Sequence, residues 1–145
     1  MYAIECIFCD CESLNNYLKM DNVNMTALCV QITDQAIYLK GNRIAFPTSI
    51  DGCDFGLFSS DLFIYERLVL LLFPQGAQAV PIYTRDDFNN SSCQMVILLY
   101  DATYIEIYLK DIQTALVLCE NARTSGASKV VLKEAENDMR EQFYV

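Results

Sequence analysis

The sequence predicts an α+β fold: a mainly antiparallel sheet of six to eight strands with two to four helices packed on it, in a single compact domain spanning residues 1–145. Three observations lead there. In the stretch 92–126, SCQMVILLYDATYIEIYLKDIQTALVLCENARTSG, the hydrophobic period is two as far as Lys110 and helical after it, the pattern of a hairpin followed by a helix that packs back on it. In the first half, turn residues separate short apolar runs, which suits neighbouring strands joined in sequence. The chain has 145 residues, 53% of them hydrophobic and 20% charged, long enough to bury a core without staples and too apolar for extended disorder.

Taken in order, residues 2–8 read as a strand with Cys6 and Phe8 on one face, and Asp10 or Ser13 then opens a short helix carrying Leu14, Tyr17 and Leu18. Residues 27–32 and 36–39 read as a hairpin, and Gly41-Asn42 turns the chain into 43–46, where Pro47 closes the meander. The run 48–60 carries Gly52 and Gly56 and is the least regular part. LFIYERLVLLLF, 62–73, reads as a strand, because a helix there would be apolar nearly all round; residues 59–65 are the part with most helical character. After a turn at 74–76 come a short extended piece, 79–83, and a short helix, 84–90, whose Thr84 and Asp87 have the spacing of a capping box.

The central hairpin comes next. In 93–100, Cys93, Met95, Ile97 and Leu99 alternate with Gln94, Val96, Leu98 and Tyr100, and both sets are mainly apolar, so this strand belongs in the middle of the sheet. Its partner puts Thr103, Ile105, Ile107 and Leu109 on an apolar face and Tyr104, Glu106 and Tyr108 on the other. Asp101-Ala102 lacks the glycine of a two-residue turn, which points to a longer or bulged reversal. Asp111 caps the helix that follows, its apolar stripe is Ile112, Ala115, Leu116, Cys119 and Ala122, and Gly126 ends it. A strand at 129–133, a polar turn at 134–138 and an extended 141–145 complete the chain.

Nineteen acidic residues against ten basic ones leave a net charge of −9, which opposes attraction to nucleic acid or anionic lipid and steers a basic partner inward. The longest uncharged apolar run, 68–74, is far short of the roughly 20 residues a membrane helix needs. MYAIECIFCDCE has acidic residues among its apolar ones and no basic segment before them, so a signal peptide is not expected and the cytoplasm is. Seven cysteines spread through apolar stripes fit reduced thiols packed as small hydrophobes. The cluster Cys6, Cys9 and Cys11 lacks a fourth soft ligand nearby, so neither metal nor cofactor is expected.

The chain has no histidine, phosphate loop or G-x-S-x-G, and its neighbouring carboxylates, Asp86 with Asp87 and Asp51 with Asp54, read as capping or solvated groups rather than acid–base pairs. An enzyme is therefore not expected. The candidate site is the face Tyr104, Glu106, Tyr108, where two rings and a carboxylate compose a partner-binding patch if the face is open, or a buried layer if a helix covers it.

Phe73-Pro74, Asp86-Asp87-Phe88, Ser92-Cys93-Gln94, the hairpin LLYDATYIEIYLKD and the closing Glu136-Asn137-Asp138-Met139-Arg140 carry a resemblance. Over residues 62–145 the chain resembles a family of small cytosolic Firmicute proteins catalogued as a domain of unknown function. The resemblance implies a bacterial, cytosolic, one-domain protein, and it brings no established activity with it. Where that family often has a cysteine before the final Lys-Asp of the hairpin, this chain has Leu109, which argues against a catalytic thiol there.

The expected function is that of a non-catalytic acidic binding protein, an immunity or antitoxin-like inhibitor of a basic protein partner. The alternative is a small-molecule-binding regulatory or sensor domain with an apolar pocket between sheet and helix. A third class, an enzyme working with carboxylates alone, needs two of them in one cleft.

Overall fold

The computed structural model describes residues 1–18, 25–33, 38–39, 42–43, 48–51, 67–74, 76–101, 103–134 and 141–143, with the backbone course alone for 11, 15 and 18, for those between 25 and 51 and for 67 and 68. An antiparallel sheet dominates it. Strands β1 (Tyr2–Ile7), β2 (Met25–Thr33), β5 (Thr48–Asp51), β6 (Arg67–Pro74), β7 (Met95–Tyr100), β8 (Tyr104–Leu109) and β9 (Ser128–Glu134) lie in the order β5-β2-β6-β7-β8-β1-β9, and β3 (Tyr38–Leu39) and β4 (Asn42–Arg43) pair with each other apart from it. Among the described residues three helices accompany them: α1 (Cys11–Leu18), α2 (Arg85–Asn90) and α3 (Ile112–Thr124).

The α+β class and the antiparallel sheet agree with the expectation, whereas the strand count needs correcting. The body whose side chains are described has five strands, β6, β7, β8, β1 and β9, not six to eight. Two pieces expected to be extended stay out of the sheet: 79–83 forms no ladder, and the end of the chain contributes one isolated bridge, Thr84 with Gln142. β2 and β5 continue the sheet beyond β6 through backbone pairing. The run from 48 therefore opens as a strand rather than irregularly. Residues 38–39 pair with 42–43 and not with 27–32, whose strand is flanked by β5 and β6. The helical character expected for 59–65 and the polar turn expected at 134–138 fall wholly or mostly outside the described residues.

Alternation along β7 and β8 works as read. Met95, Ile97 and Leu99 join Ile105, Ile107 and Leu109 in one buried layer with Ile4, Cys6 and Phe8 of the β1 segment, under α1 and α3. Val96, Leu98 and Tyr108 form the opposite layer with Val69, Leu71 and Phe73. Cys93 is a correction: it lies in this second layer, because β7 starts at Met95 and strand alternation does not reach back to it. Both faces of β7 are buried, as its place between β6 and β8 requires.

The ends of the elements follow local chemistry. Asp10 accepts from the Ser13 amide at 2.7 Å and starts α1; Asp111 accepts from the Thr114 amide at 2.7 Å and starts α3. Thr84 and Asp87 form a reciprocal capping box on α2. Asp101, at φ 52°, takes the left-handed turn residue that β7 and β8 need, with Tyr100 paired to Tyr104 across a three-residue reversal, 101–103. Gly126, at φ 91°, ends α3, where a residue with a Cβ would be strained.

Candidate functional site

The site begins with the register of three strands. β8 pairs with β7 on one side and β1 on the other, so Glu106 stands opposite Leu98 and also opposite Glu5. Side chains of directly opposed residues share a face. Glu5 and Glu106 are thereby neighbours on the face turned away from α1 and α3, and β9 brings Lys133 to the same face, its Nζ 2.8 Å from Glu5 Oε1.

Glu106 is 8% exposed, and its two carboxylate oxygens take different hydroxyls: Tyr100 donates to Oε1 at 2.7 Å and Tyr108 donates to Oε2 at 2.8 Å. Tyr100 also stacks on Tyr104, with ring centroids 4.6 Å apart. Burial, and then the bond to Glu106, push the Tyr100 hydroxyl above the ordinary tyrosine range, since its anion would lose water and face a carboxylate. Tyr108 is 4% exposed, and the Phe143 ring covers it at 5.0 Å.

The expected outward face Tyr104, Glu106, Tyr108 is thus corrected. Glu106 and Tyr108 are buried by the protein itself, and of the three only Tyr104 remains half-exposed. The cover is the segment 77–93, which includes the short helix α2 and carries Ile82, Phe88 and Cys93 into the second layer, together with Phe143. Tyr100 joins the cluster across the local β7–β8 hairpin, whereas Glu5 and Lys133 escape a sequence reading because the β1–β8 and β1–β9 pairings that bring them in span nearly the whole chain.

Residues considered for metal or acid–base chemistry are dispersed. Cys6 is buried and Cys9 exposed. Burial pushes the Cys6 thiol up to about 12 and the Cys93 thiol to about 11, so both are neutral thiols at physiological pH. Among the described residues no three of Cys, Asp and Glu converge to hold a metal ion. Asp87 is the capping partner of Thr84, whose hydroxyl and amide hold its carboxyl below the usual range, and Asp86 stands exposed beside it. The side chain of Asp51, and Asp54 altogether, fall outside the described residues.

The helical layer on the other side has an open surface. α3 buries Ala115, Cys119 and Ala122 and leaves Leu116 and Val117 49% and 58% exposed. Leu116, expected on the buried stripe, points outward. α1 is fastened to α3 by the Tyr17 hydroxyl, which donates to the Leu118 carbonyl at 3.1 Å, so the two helices present one surface. The helices and their caps also expose Asp10, Glu12, Asp111 and Glu120 against Arg123, which lies 3.8 Å from Glu120. Hydrogen bonds from Ser13 and Thr114 hold the carboxyls of Asp10 and Asp111 below the usual range, so both stay charged at neutral pH. No helix among the described residues is long and apolar enough to cross a membrane.

Comparison with known proteins gives a family and one relative. A family model described as "Protein of unknown function (DUF2691)" matches residues 13–144, reaching well ahead of the segment from 62 whose motifs carried the resemblance. Over 76 residues the chain is 32% identical to "Uncharacterized protein YncE" of Bacillus subtilis (strain 168), an alignment covering 52% of this chain and 50% of that protein. The chain thus spans about half the length of the curated relative it matches. No solved structure matches.

Proposed function

We propose a function on the premise that this chain belongs to the DUF2691 family, whose description is protein of unknown function; no activity comes with that membership. The reading is a non-catalytic acidic binding protein, of immunity or antitoxin-like kind, that docks a basic protein partner on its helical layer. The observation that carries it is the pair Leu116 and Val117, exposed side by side on α3 in a helical layer whose described charged side chains are mostly acidic. Exposed apolar anchors supply contact area that water disfavours, and a rim of one charge selects a partner of the other. The net charge of −9 adds long-range attraction for such a partner.

The small-molecule alternative asks for a cavity between sheet and helices. It has less support, because Ala115, Cys119 and Ala122 are packed shut there at 0–2% exposure. The carboxylate-enzyme class gains one favourable juxtaposition, Glu5 opposite Glu106, but those carboxylates bind the chain's own lysine and tyrosine hydroxyls.

The test is affinity capture from the native cell at low salt, followed by a rising salt gradient and mass spectrometry, on three immobilised chains. The intact chain and a Tyr104→Ala chain are expected to retain the same basic protein. A Leu116→Ser, Val117→Ser chain is expected to lose it. Equal retention by all three chains, or capture that rising salt does not weaken, would remove the helical layer as the docking surface.

A further inference from the structure

Residues 141–143 are held in a way that the docking role does not use. Phe143 N–H donates to the Tyr83 carbonyl at 2.8 Å and Arg85 N–H donates to the Glu141 carbonyl at 3.0 Å, flanking the antiparallel bridge between Thr84 and Gln142. These two bonds are a minimal β-ladder, and they aim one side chain inward. Phe143 is 2% exposed, edge-on to Phe88 at 6.1 Å and tilted against Tyr108 at 5.0 Å. Beside the ladder, a cleft of about 270 Å³ opens between Thr84, Arg85 and Asp86 on one wall and Glu141 and Gln142 on the other. Tyr83, whose carbonyl accepts from Phe143, is 64% exposed.

We infer that Tyr83–Arg85 is a strand-addition slot, with an aromatic pocket between Phe88 and Tyr108, that holds this chain's 141–143 segment in cis and accepts the same segment of a second copy in trans. Main-chain bonds give such a slot its register and the single ring gives it its selectivity. The described grip is short: one bridge, two backbone bonds and one plug. Any extended segment that offers the same ring in the same register can make the same bridge, backbone bonds and plug. Six residues, 135–140, link the segment to β9, so the cis copy acts at an effective concentration in the millimolar range. A second copy therefore competes when chains are concentrated or when the cis plug is lost.

Two experiments test this. A labelled peptide of residues 139–145 is titrated into the intact chain and into a Phe143→Ala chain, with fluorescence anisotropy as the readout. The Phe143→Ala chain is expected to bind it about tenfold or more tighter than the intact chain, whose slot is filled. A peptide with alanine in place of its phenylalanine is expected not to bind. Absence of binding to a folded Phe143→Ala chain, or equal binding of both peptides, overturns the slot.

The second experiment stands if that variant fails to fold. Thr84 and Gln142 form a non-hydrogen-bonded antiparallel pair, whose Cα separation of about 4.5 Å suits a disulfide. Chains carrying Thr84→Cys and Gln142→Cys, one batch isotope-labelled and one not, are mixed and oxidised over a range of concentrations, and the linkages are mapped by mass spectrometry. Mixed 84–142 linkages that increase with concentration support exchange between copies. Linkages confined to single chains at every concentration refute it.

Discussion

Removing the Glu106 carboxylate is the most direct probe of the tyrosine cluster. Glu106→Ala takes away the acceptor of two charge-assisted bonds, from Tyr100 at 2.7 Å and from Tyr108 at 2.8 Å. Bonds of this kind contribute on the order of 1.5–3 kcal/mol each, more than neutral pairs do. Tyr108 is 4% exposed, so its hydroxyl cannot regain water, whereas Tyr100 is half-exposed and can. The Tyr108 side should therefore dominate, and the variant should lose about 3 kcal/mol. In urea unfolding that is a midpoint lowered by about 1–3 M at unchanged slope. Tyr108→Phe should cost about 1–2 kcal/mol and Tyr100→Phe about half of that. In a double-mutant cycle, Glu106→Ala and Tyr108→Phe together should cost less than the sum of their separate losses, because either change breaks the same bond. A Glu106→Ala chain within about 0.5 kcal/mol of the parent would refute the reasoning, since a buried carboxylate serving two hydroxyls cannot be removed that cheaply.

Three further outcomes follow from the same geometry. Asp10, Asp87 and Asp111 have folded-state pKa values below their unfolded ones, so their caps stabilise fully above the ordinary carboxylate pKa and lose effect as pH falls through the lowered values; thermal midpoints should drop across that acidic window, less steeply in Asp111→Asn. Iodoacetamide at pH 8 should label Cys9 well before Cys6, Cys93 and Cys119, because burial raises the last three; peptide mass spectrometry showing early labelling of Cys93 would contradict its sealed position. Lys110→Met should cost about 1 kcal/mol in urea unfolding, the worth of one bond to the Ser91 carbonyl at 2.7 Å and of the ammonium 4.9 Å over the Phe88 ring; no loss would mean that neither contact persists in solution.

What the sequence discloses here is whatever a short window can fix. The β7–β8 hairpin, the Asp111 cap and the Gly126 stop were legible because alternation, a capping carboxylate and a positive φ each act within a few residues. Whether Tyr108 faces water was not, since that depends on Phe143 and on a strap from 77 to 93, brought there by contacts that no periodicity encodes. Glu106 illustrates the limit: a carboxylate alternating with tyrosines is the same pattern whether it awaits a partner or accepts from the rings beside it. Leu116 shows the opposite error, and its cause is the place of α3. The helix lies mainly over β1 and β9, at the rim of the sheet, and a rim offers less apolar surface than a sheet centre. Its buried stripe therefore narrows to the small side chains Ala115, Cys119 and Ala122, which let the helix approach closely, and the larger Leu116 and Val117 turn outward. The same narrowing that defeated the helical-period reading is what leaves two apolar side chains exposed on α3.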